Sequence, residues 1–366
     1  MTKRIKTVIV TNVPAPYRVP VWRRVAADPE VDLSVIFCSK PHIDTQTAPD
    51  SYGFKHLFLT APYLAMQRRF MHCDLGIWGE LRRLNPDLVI TTGYIPTFLF
   101  AFAWSWLHRV KHVVMTDGTL FSEQTLTPLH RIVRRWVFKR SQAFIGACQG
   151  SAELFRGYGI AADHIHIAYL CADNSRFGRP PNQAQSDFIF CGRFIPHKQP
   201  LFALRVAEQT ARKLGRKVSL DFLGDGEMLA EMRQLAQELE ERVTCRFLGY
   251  ASQEDLPQHY ANAKVFLFPT AWDPWGVVAN EACAAGLPVI VSPHAGVAGE
   301  LVLDNVNGYI RELETEAWSD AAARLLTDAE LYARFSANSR DQVAHYTYDA
   351  SARGMLAAIK QAAGGL

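Results

Sequence analysis

Two carboxylates, Asp273 and Glu281, lie within one segment, VFLFPTAWDPWGVVANEACAAGLPVIVS, Val265–Ser292. The segment reads as strand, loop, short helix, strand. Val265–Pro269 is a compact apolar run, Asp273 follows in a loop rich in Trp and Pro, and Gly276 opens the next element. Val277–Ala285 is expected to be helical with a small-residue face, Gly286 to cap it, and Leu287–Val291 to be the next buried strand. One carboxylate thus sits on a loop and the other inside a helix, where both can face the mouth of one cleft. Between them, the amides of Gly276, Val277 and Val278 open a helix N-terminus. Unpaired N–H groups and the helix dipole make that a seat for phosphate.

Ligands of open α/β sheets collect at the carboxyl ends of the strands. Asn12, Arg18, Asp117, Arg193, Lys198, Asp225 and Asp273 all fall at predicted strand ends. Arg193 and Lys198, joined to the Gly276–Val278 amides, form a set suited to a diphosphate. The plain alternative for the two cations is salt bridging on the surface.

The elements that must hold these groups alternate along the chain. Strands are predicted at Thr7–Val13, Asp32–Cys38, His56–Leu59, Asp87–Thr92, Lys111–Met115, Ala143–Ala147 and His166–Leu170. A second series has strands at Phe188–Cys191, Ser219–Leu223 and Val243–Leu248, with helices from Pro200 to Leu214 and from Glu227 to Leu239. Ser252 is positioned to cap a helix holding Asp255–Tyr260; Ala317–Leu326, Glu330–Ser336 and Tyr348–Ala363 close the chain as helices. Strands alternating with helices predict an α/β chain of two doubly wound, Rossmann-like parallel sheets facing across a cleft. The polar, proline-paired stretch NSRFGRPPNQAQSD marks a boundary. It divides the chain into a first domain at 1–178, a linker at 179–187 and a second domain at 188–347. The helix at 348–366 is expected to pack back on the first.

The 366 residues are enough for two full cores. The net charge of +3 is unevenly spread. Met1–Arg179 holds 22 Lys and Arg against 13 Asp and Glu, a net of +9, and the rest holds 17 against 23, a net of −6. The first half therefore suits an anionic substrate or membrane surface, or simply carries a solvated basic face. His130–Arg140, HRIVRRWVFKR, sets Ile132, Val133, Trp136 and Val137 at helical spacing among arginines. Such a helix lies on a membrane or packs one face on its own sheet. The apolar Tyr94–Leu107 is too short to span a bilayer and reads as a core helix. Seven scattered cysteines without a CxxC pair read as thiols of a reducing cytosol, and MTKRIKTVIVTNV passes into a strand without a cleavage region. The chain contains no GxGxxG after a strand, no P-loop, no GxSxG elbow and no Asp-x-Asp pair. His72-Cys73-Asp74 lacks a second ligand set at metal spacing and reads as structural.

The second half resembles the group 1 retaining glycosyltransferases of the GT-B fold, glycosyltransferase family 4. The resemblance is carried by FCGRFIPHKQP (Phe190–Pro200), FLGDGE (Phe222–Glu227), FLGY (Phe247–Tyr250), the Asp273-to-Glu281 block with ACAAGLPVIVS, and HAGVAGE (His294–Glu300). NVPAPYRVP (Asn12–Pro20) is like the opening of one subset of that family. The resemblance implies a metal-independent transferase moving a hexose from a UDP- or GDP-linked sugar to a glycan or lipid-linked acceptor. Neither a cofactor nor nucleic acid is implied, and the setting is the cytoplasm, at the inner face of a membrane. By the same resemblance Arg193 and Lys198 bind the donor diphosphate, Glu281 the ribose hydroxyls and the Gly276–Val278 amides the distal phosphate. Asp273 holds hydroxyls of the transferred sugar, and Asp117 approaches that sugar. Gly192, Asp225 and Trp275 line the donor site, and Asn12, Tyr17 and Arg18 the acceptor side, with Arg68 and Arg69 near it. Three departures stand out. Asp273 replaces a customary Glu, Pro14–Pro16 replace a glycine pair, and Gln199 stands where Gly is common. A sugar-nucleotide epimerase of the same fold and a non-catalytic nucleotide-sugar or glycan binder remain open on these residues.

Overall fold

In the computed structural model, which describes residues 4–39, 52–60, 64–66, 69–124, 126–178 and 185–364, the uninterrupted apolar runs become the strands of two all-parallel sheets. The chain divides into two units, Met1–Leu170 with Tyr348–Leu366, and Cys171–Thr347.

The first unit contains β1 (Ile5–Thr11), α1 (Val19–Ala27), β2 (Val31–Phe37), β3 (Lys55–Phe58), the hairpin β4–β5 (Leu64–Met66, Arg69–Met71) and α2 (Ile77–Leu84). It continues through β6 (Leu88–Thr91), α3 (Pro96–Leu107), β7 (Lys111–Thr116), α4 (Leu120–Glu123), α5 (Pro128–Phe138), β8 (Ala143–Gly146), α6 (Gln149–Gly157) and β9 (Ile165–Ile167). Its seven-stranded sheet runs β3-β2-β1-β6-β7-β8-β9. Val35, Ile36 and Phe37 are fully buried, each side chain contributing roughly 1.5–3 kcal/mol. The apolar Tyr94–Leu107 stretch is half a core helix. Phe98, Ala101, Phe102 and Trp104 of α3 are buried, but its last turn leaves Trp106 and Leu107 exposed. Among the described residues no helix is long and apolar enough to cross a membrane.

The second unit contains β10 (Ser186–Cys191), α7 (Pro200–Leu214), β11 (Val218–Leu223), α8 (Leu229–Glu238), β12 (Val243–Gly249), α9 (Leu256–Ala261), β13 (Ala263–Phe268), α10 (Val277–Ala284), β14 (Val289–Val291), β15 (Gly308–Ile310), α11 (Thr315–Thr327) and α12 (Ala329–Val343). Its six-stranded sheet runs β12-β11-β10-β13-β14-β15. α12 continues well past the expected Ser336. It starts firmly, because the Asp328 carboxylate accepts the Leu331 N–H at 2.9 Å. Ser252 caps the turn that leads into α9, its hydroxyl accepting the Asp255 N–H at 3.2 Å, but the helix itself opens only at Leu256.

One boundary expectation changes. Residues 171–178 pack with the second unit: the Asn174 amide donates to the carbonyls of Val343 and Tyr346, at 2.9 and 3.1 Å. Phe177 meets the Tyr260 ring at 5.7 Å. The division thus precedes 178, and of the expected linker 179–184 lies outside the described residues.

The terminal helix α13 (Tyr348–Ala362) belongs to the first unit. Lys360 pairs with Asp28 and Glu30, and His166 meets Gln361 at 2.6 Å. Gly354 permits this docking, because a Cβ there would lie 1.8 Å from the carbonyl oxygen of Ile167. In an exposed helix, Gly→Ala stabilises by about 1 kcal/mol. Here the sign should reverse. Gly354→Ala is expected to lower unfolding stability by about 1–3 kcal/mol through overpacking, read from the urea midpoint.

Each sheet reverses its strand order once. In the first unit β2 and β6 flank β1, and in the second β11 and β13 flank β10. At such a point consecutive loops leave in opposite directions and open a crevice at the carboxyl ends of the strands. The loops after β10 and β13 carry Arg193, Lys198, Asp273 and Gly276.

Candidate functional site

In the second unit the β10 loop turns at Gly192, whose N–H donates to the Leu223 carbonyl at 2.9 Å. Gly224, at φ +137°, allows this approach, since a Cβ there would lie 2.0 Å from the Gly192 carbonyl oxygen. Asp225 is exposed and serves through its backbone, accepting the Phe194 N–H at 2.8 Å, while its carboxylate accepts the Gly226 N–H at 2.7 Å. The FLGDGE segment therefore props up the loop that bears the cations.

Arg193 is exposed and has no ion-pair partner among the described residues. Lys198, ending a single 3₁₀ turn (Pro196–Lys198), pairs instead with Asp273. The two side chains are only 15% and 12% exposed, so the pair is well shielded from water. The Lys198 ammonium also stands 5.7 Å from the Phe268 ring centre. The backbone joins the two loops as well: the His197 carbonyl accepts the Ala271 N–H at 2.7 Å and the Thr270 hydroxyl at 3.1 Å. His197 is held below its ordinary pKa by burial first and then by the Lys198 and Arg193 charges, against Asp273.

Asp273 is clamped on every side. Its N–H donates to the His294 carbonyl at 3.3 Å and its carbonyl accepts from Gly296 at 2.9 Å. Its second carboxylate oxygen accepts the Trp275 N–H at 3.0 Å. The glycine-rich turn makes this possible, for a Cβ at Gly296 would meet the Pro274 carbonyl oxygen at 2.1 Å.

Trp275 does not line the site with its ring. The side chain is fully buried, donating from Nε1 to Asn280 at 2.8 Å and packing 5.4 Å from Tyr346. Its contribution is the backbone amide that orients Asp273. Gly276 caps α10 at φ +103°, with the Phe268 ring only 2.3 Å from where a Cβ would stand. The first-turn amides of Val277 and Val278 follow directly and have no carbonyl one turn back within the helix.

Glu281 is buried on the next turn of α10 and accepts the Tyr260 hydroxyl at 2.8 Å. Burial pushes its carboxyl up to about 7, with the Tyr260 hydrogen bond pulling the other way. Burial and the Glu281 charge push the neighbouring Cys191 thiol up to about 12. Tyr260, Thr270 and Phe268 are absent from the sequence-based site. Each is an ordinary apolar or small residue of a helix or strand end, and nothing in its spacing separates it from core.

In the first unit, two residues assigned to different tasks meet: Arg18 pairs with Asp117. Arg18 is 7% exposed and its other terminal nitrogen, Nη1, has no hydrogen-bond partner among the described residues. Asp117 keeps 39% of its side chain exposed. Asn12 is exposed beyond β1, with its carbonyl accepting the Ser39 N–H at 3.0 Å, and Tyr17 is half-buried beside Arg18. Arg68 and the Arg69 side chain lie outside the described residues.

The geometry can be compared with known proteins. The family model "Glycosyl transferases group 1" matches residues 172–342, and "Glycosyltransferase Family 4" matches 31–176. Between them the two glycosyltransferase models account for residues 31–342, so each unit carries a glycosyltransferase domain. An uncharacterized glycosyltransferase of Methanocaldococcus jannaschii is 31% identical over 143 residues, 38% of this chain and 35% of that one. A D-inositol 3-phosphate glycosyltransferase of Xylanimonas cellulosilytica is 29% identical over 273 residues, 69% of this chain and 64% of that one. The matched stretches thus span less than two thirds of these relatives' own lengths. HepE of Anabaena, solved with UDP, superposes with a TM-score of 0.78 at 17% identity, covering 96% of this chain and 98% of that one. A structure of the same protein with UDP-glucose gives 0.75. At that identity the likeness shows the fold, GT-B, of this glycosyltransferase family member.

The Glu281 carboxyl, raised from 4.5 to about 7 in the fold, stabilises the protein fully below pH 4.5, and this contribution is lost as pH rises through about 7. Its size is about 3 kcal/mol. Urea unfolding at a series of pH values should show Glu281→Gln gaining on the parent by that order between the two limits. Parallel curves would contradict it.

Proposed function

We propose that the chain transfers a hexose, with retention of anomeric configuration, from a nucleoside-diphosphate sugar to a glycan or lipid-linked acceptor. The observation that carries this reading is the meeting of Arg193, the Lys198–Asp273 pair and the α10 N-terminus at the β10/β13 strand-order reversal. The UDP and UDP-glucose bound by the Anabaena neighbour support a UDP-linked donor; a GDP-linked one fits the same phosphate set.

Each group has a task in this reading. The exposed Arg193 and the Val277 and Val278 amides receive the diphosphate. Lys198 leaves Asp273 for a phosphate oxygen, and the released carboxylate takes hydroxyls of the sugar. Glu281 accepts from the ribose. The bond between the anomeric carbon and the diphosphate oxygen breaks, and the electron pair leaves with the diphosphate. The acceptor oxygen bonds on the same face, and a phosphate oxygen takes its proton. Negative charge grows on the leaving group, where the cations and amides stand, so the arrangement favours the transition state over the bound donor. These groups perform the neutralisation without a metal ion, so activity should persist in a chelator.

The first unit is assigned the acceptor, with Asn12, Tyr17 and the Arg18–Asp117 pair as its polar contacts. A lipid-linked acceptor fits the expected setting, the cytoplasm at the inner face of a membrane.

Arg193→Ala and Lys198→Ala should each lower kcat/KM for the donor by roughly 100–1000-fold, measured as nucleotide release with acceptor. Full activity in both would sink the diphosphate assignment. Proton NMR of the product should show the donor's anomeric configuration. Because an ionised Glu281 accepts the ribose hydroxyls more strongly than a protonated one, donor affinity should fall as pH drops through about 7. Calorimetry in buffers of differing ionisation enthalpy should then register proton release on binding. Binding that is flat from pH 5.5 to 8 would remove Glu281 from the ribose.

A further inference from the structure

α5 is anchored by one face and leaves an unusual other face. Arg134 turns inward to pair with the buried Glu123, which also accepts the Tyr158 hydroxyl at 2.6 Å. The Arg134 guanidinium lies 4.6 Å from the Tyr94 ring centre, and Val137 and Phe138 are buried beside it. These contacts fix the rotation of the helix. Leu129 and Ile132, one turn apart, therefore point outward, 68% and 59% exposed. On the same outward face, three and seven residues after Ile132, stand Arg135 and Lys139, both exposed. Neither has an ion-pair partner among the described residues, and α5 contains no acidic residue. The surface continues onto the end of α3. Trp106, 49% exposed, meets the Trp136 ring edge-on at 5.7 Å, and the Arg140 guanidinium lies 5.3 and 5.1 Å from the two ring centres.

A helix buried only for core packing would place polar residues at 129 and 132. Exposed aliphatic tips ringed by unpaired cations, with tryptophans at the margin, match a different solvent, the boundary between lipid head groups and acyl chains. We infer that the outward face of α5, with the end of α3, docks on an anionic phospholipid surface. The charge complement selects the occupant: a second copy would set Arg135 and Lys139 against the same cations, whereas anionic lipid neutralises them. No part of the surface requires a spanning helix. The inference supplies the partner surface for the transfer reading, but it is measured without nucleotide sugar or acceptor, so the two fail separately.

The test is flotation of the full chain with vesicles of phosphatidylcholine alone or with phosphatidylglycerol added. Binding is expected to the mixed vesicles, little to the neutral ones, with loss in high salt. Arg135→Gln with Lys139→Gln should lower partitioning by roughly 30-fold. Leu129→Ser with Ile132→Ser should also lower it, while leaving retention on a soluble acidic polysaccharide unchanged. Both pairs are exposed, so unchanged thermal unfolding and UDP binding will report an intact fold. Absence of binding to anionic vesicles, or full binding by the Leu129/Ile132 variant, overturns the proposal. So does a concentration-dependent dimer that the same variant abolishes and vesicles do not compete with.

Discussion

The ion pair between Lys198 and Asp273 holds the second unit's working edge together. β10 and β13 are neighbours, but their loops leave in opposite directions, and something must tie the crevice between them. The pair does this across 75 residues of sequence, backed by the His197 carbonyl bonds to Thr270 and Ala271. Breaking a buried pair by removing one partner costs about 3–5 kcal/mol, and these side chains retain little exposure. The site therefore rests in a self-neutralised form, with one cation engaged and one, Arg193, exposed. A dianionic ligand has to displace a carboxylate to gain the second cation. In the proposed reading that exchange links donor capture to sugar recognition, because the carboxylate it frees is the one proposed to hold the sugar.

Close backbone approach sets the rest. Gly192 and Gly224 bring two loops into contact, Gly296 seats the β14 loop against Pro274, and Gly276 clears the Phe268 ring so that α10 can begin beside Asp273. These positions make the loops rigid enough to aim amides at a ligand. The first unit reuses the principle with different residues. The Pro14–Pro16 turn replaces a glycine pair, and Arg18 leaves it to meet Asp117. One Arg18 nitrogen is buried without a partner among the described residues, which is costly unless another oxygen, such as a ligand's, satisfies it.

Much of this was legible in the residues. The alternating apolar runs specify parallel strands, and Gly and Asp at strand ends mark the edge where the candidate site lies. Gln199 was visible as a departure, and the structure explains it: at φ +55° it occupies the left-handed region before α7, where glycine is favoured. Other features depend on long-range contacts that no local pattern encodes. Trp275 looked like a ring for the donor but turned inward to Asn280, because the Asp273 clamp fixes the loop around it. Tyr260 became the partner of Glu281 only when α9 packed beside α10. The division falls at 170/171 and not near 178, because the polar composition that signals a linker hides the Asn174 and Phe177 anchors.

The exchange at Lys198 is tested most directly by UDP binding to Asp273→Asn. The substitution removes the carboxylate that competes for Lys198 but keeps the shape of the loop. Calorimetry should find UDP bound more tightly than by the parent, while transfer from the UDP-sugar falls by orders of magnitude. Weakened UDP binding in Asp273→Asn, matching that of Lys198→Ala, would contradict the exchange and leave the pair as a structural strut.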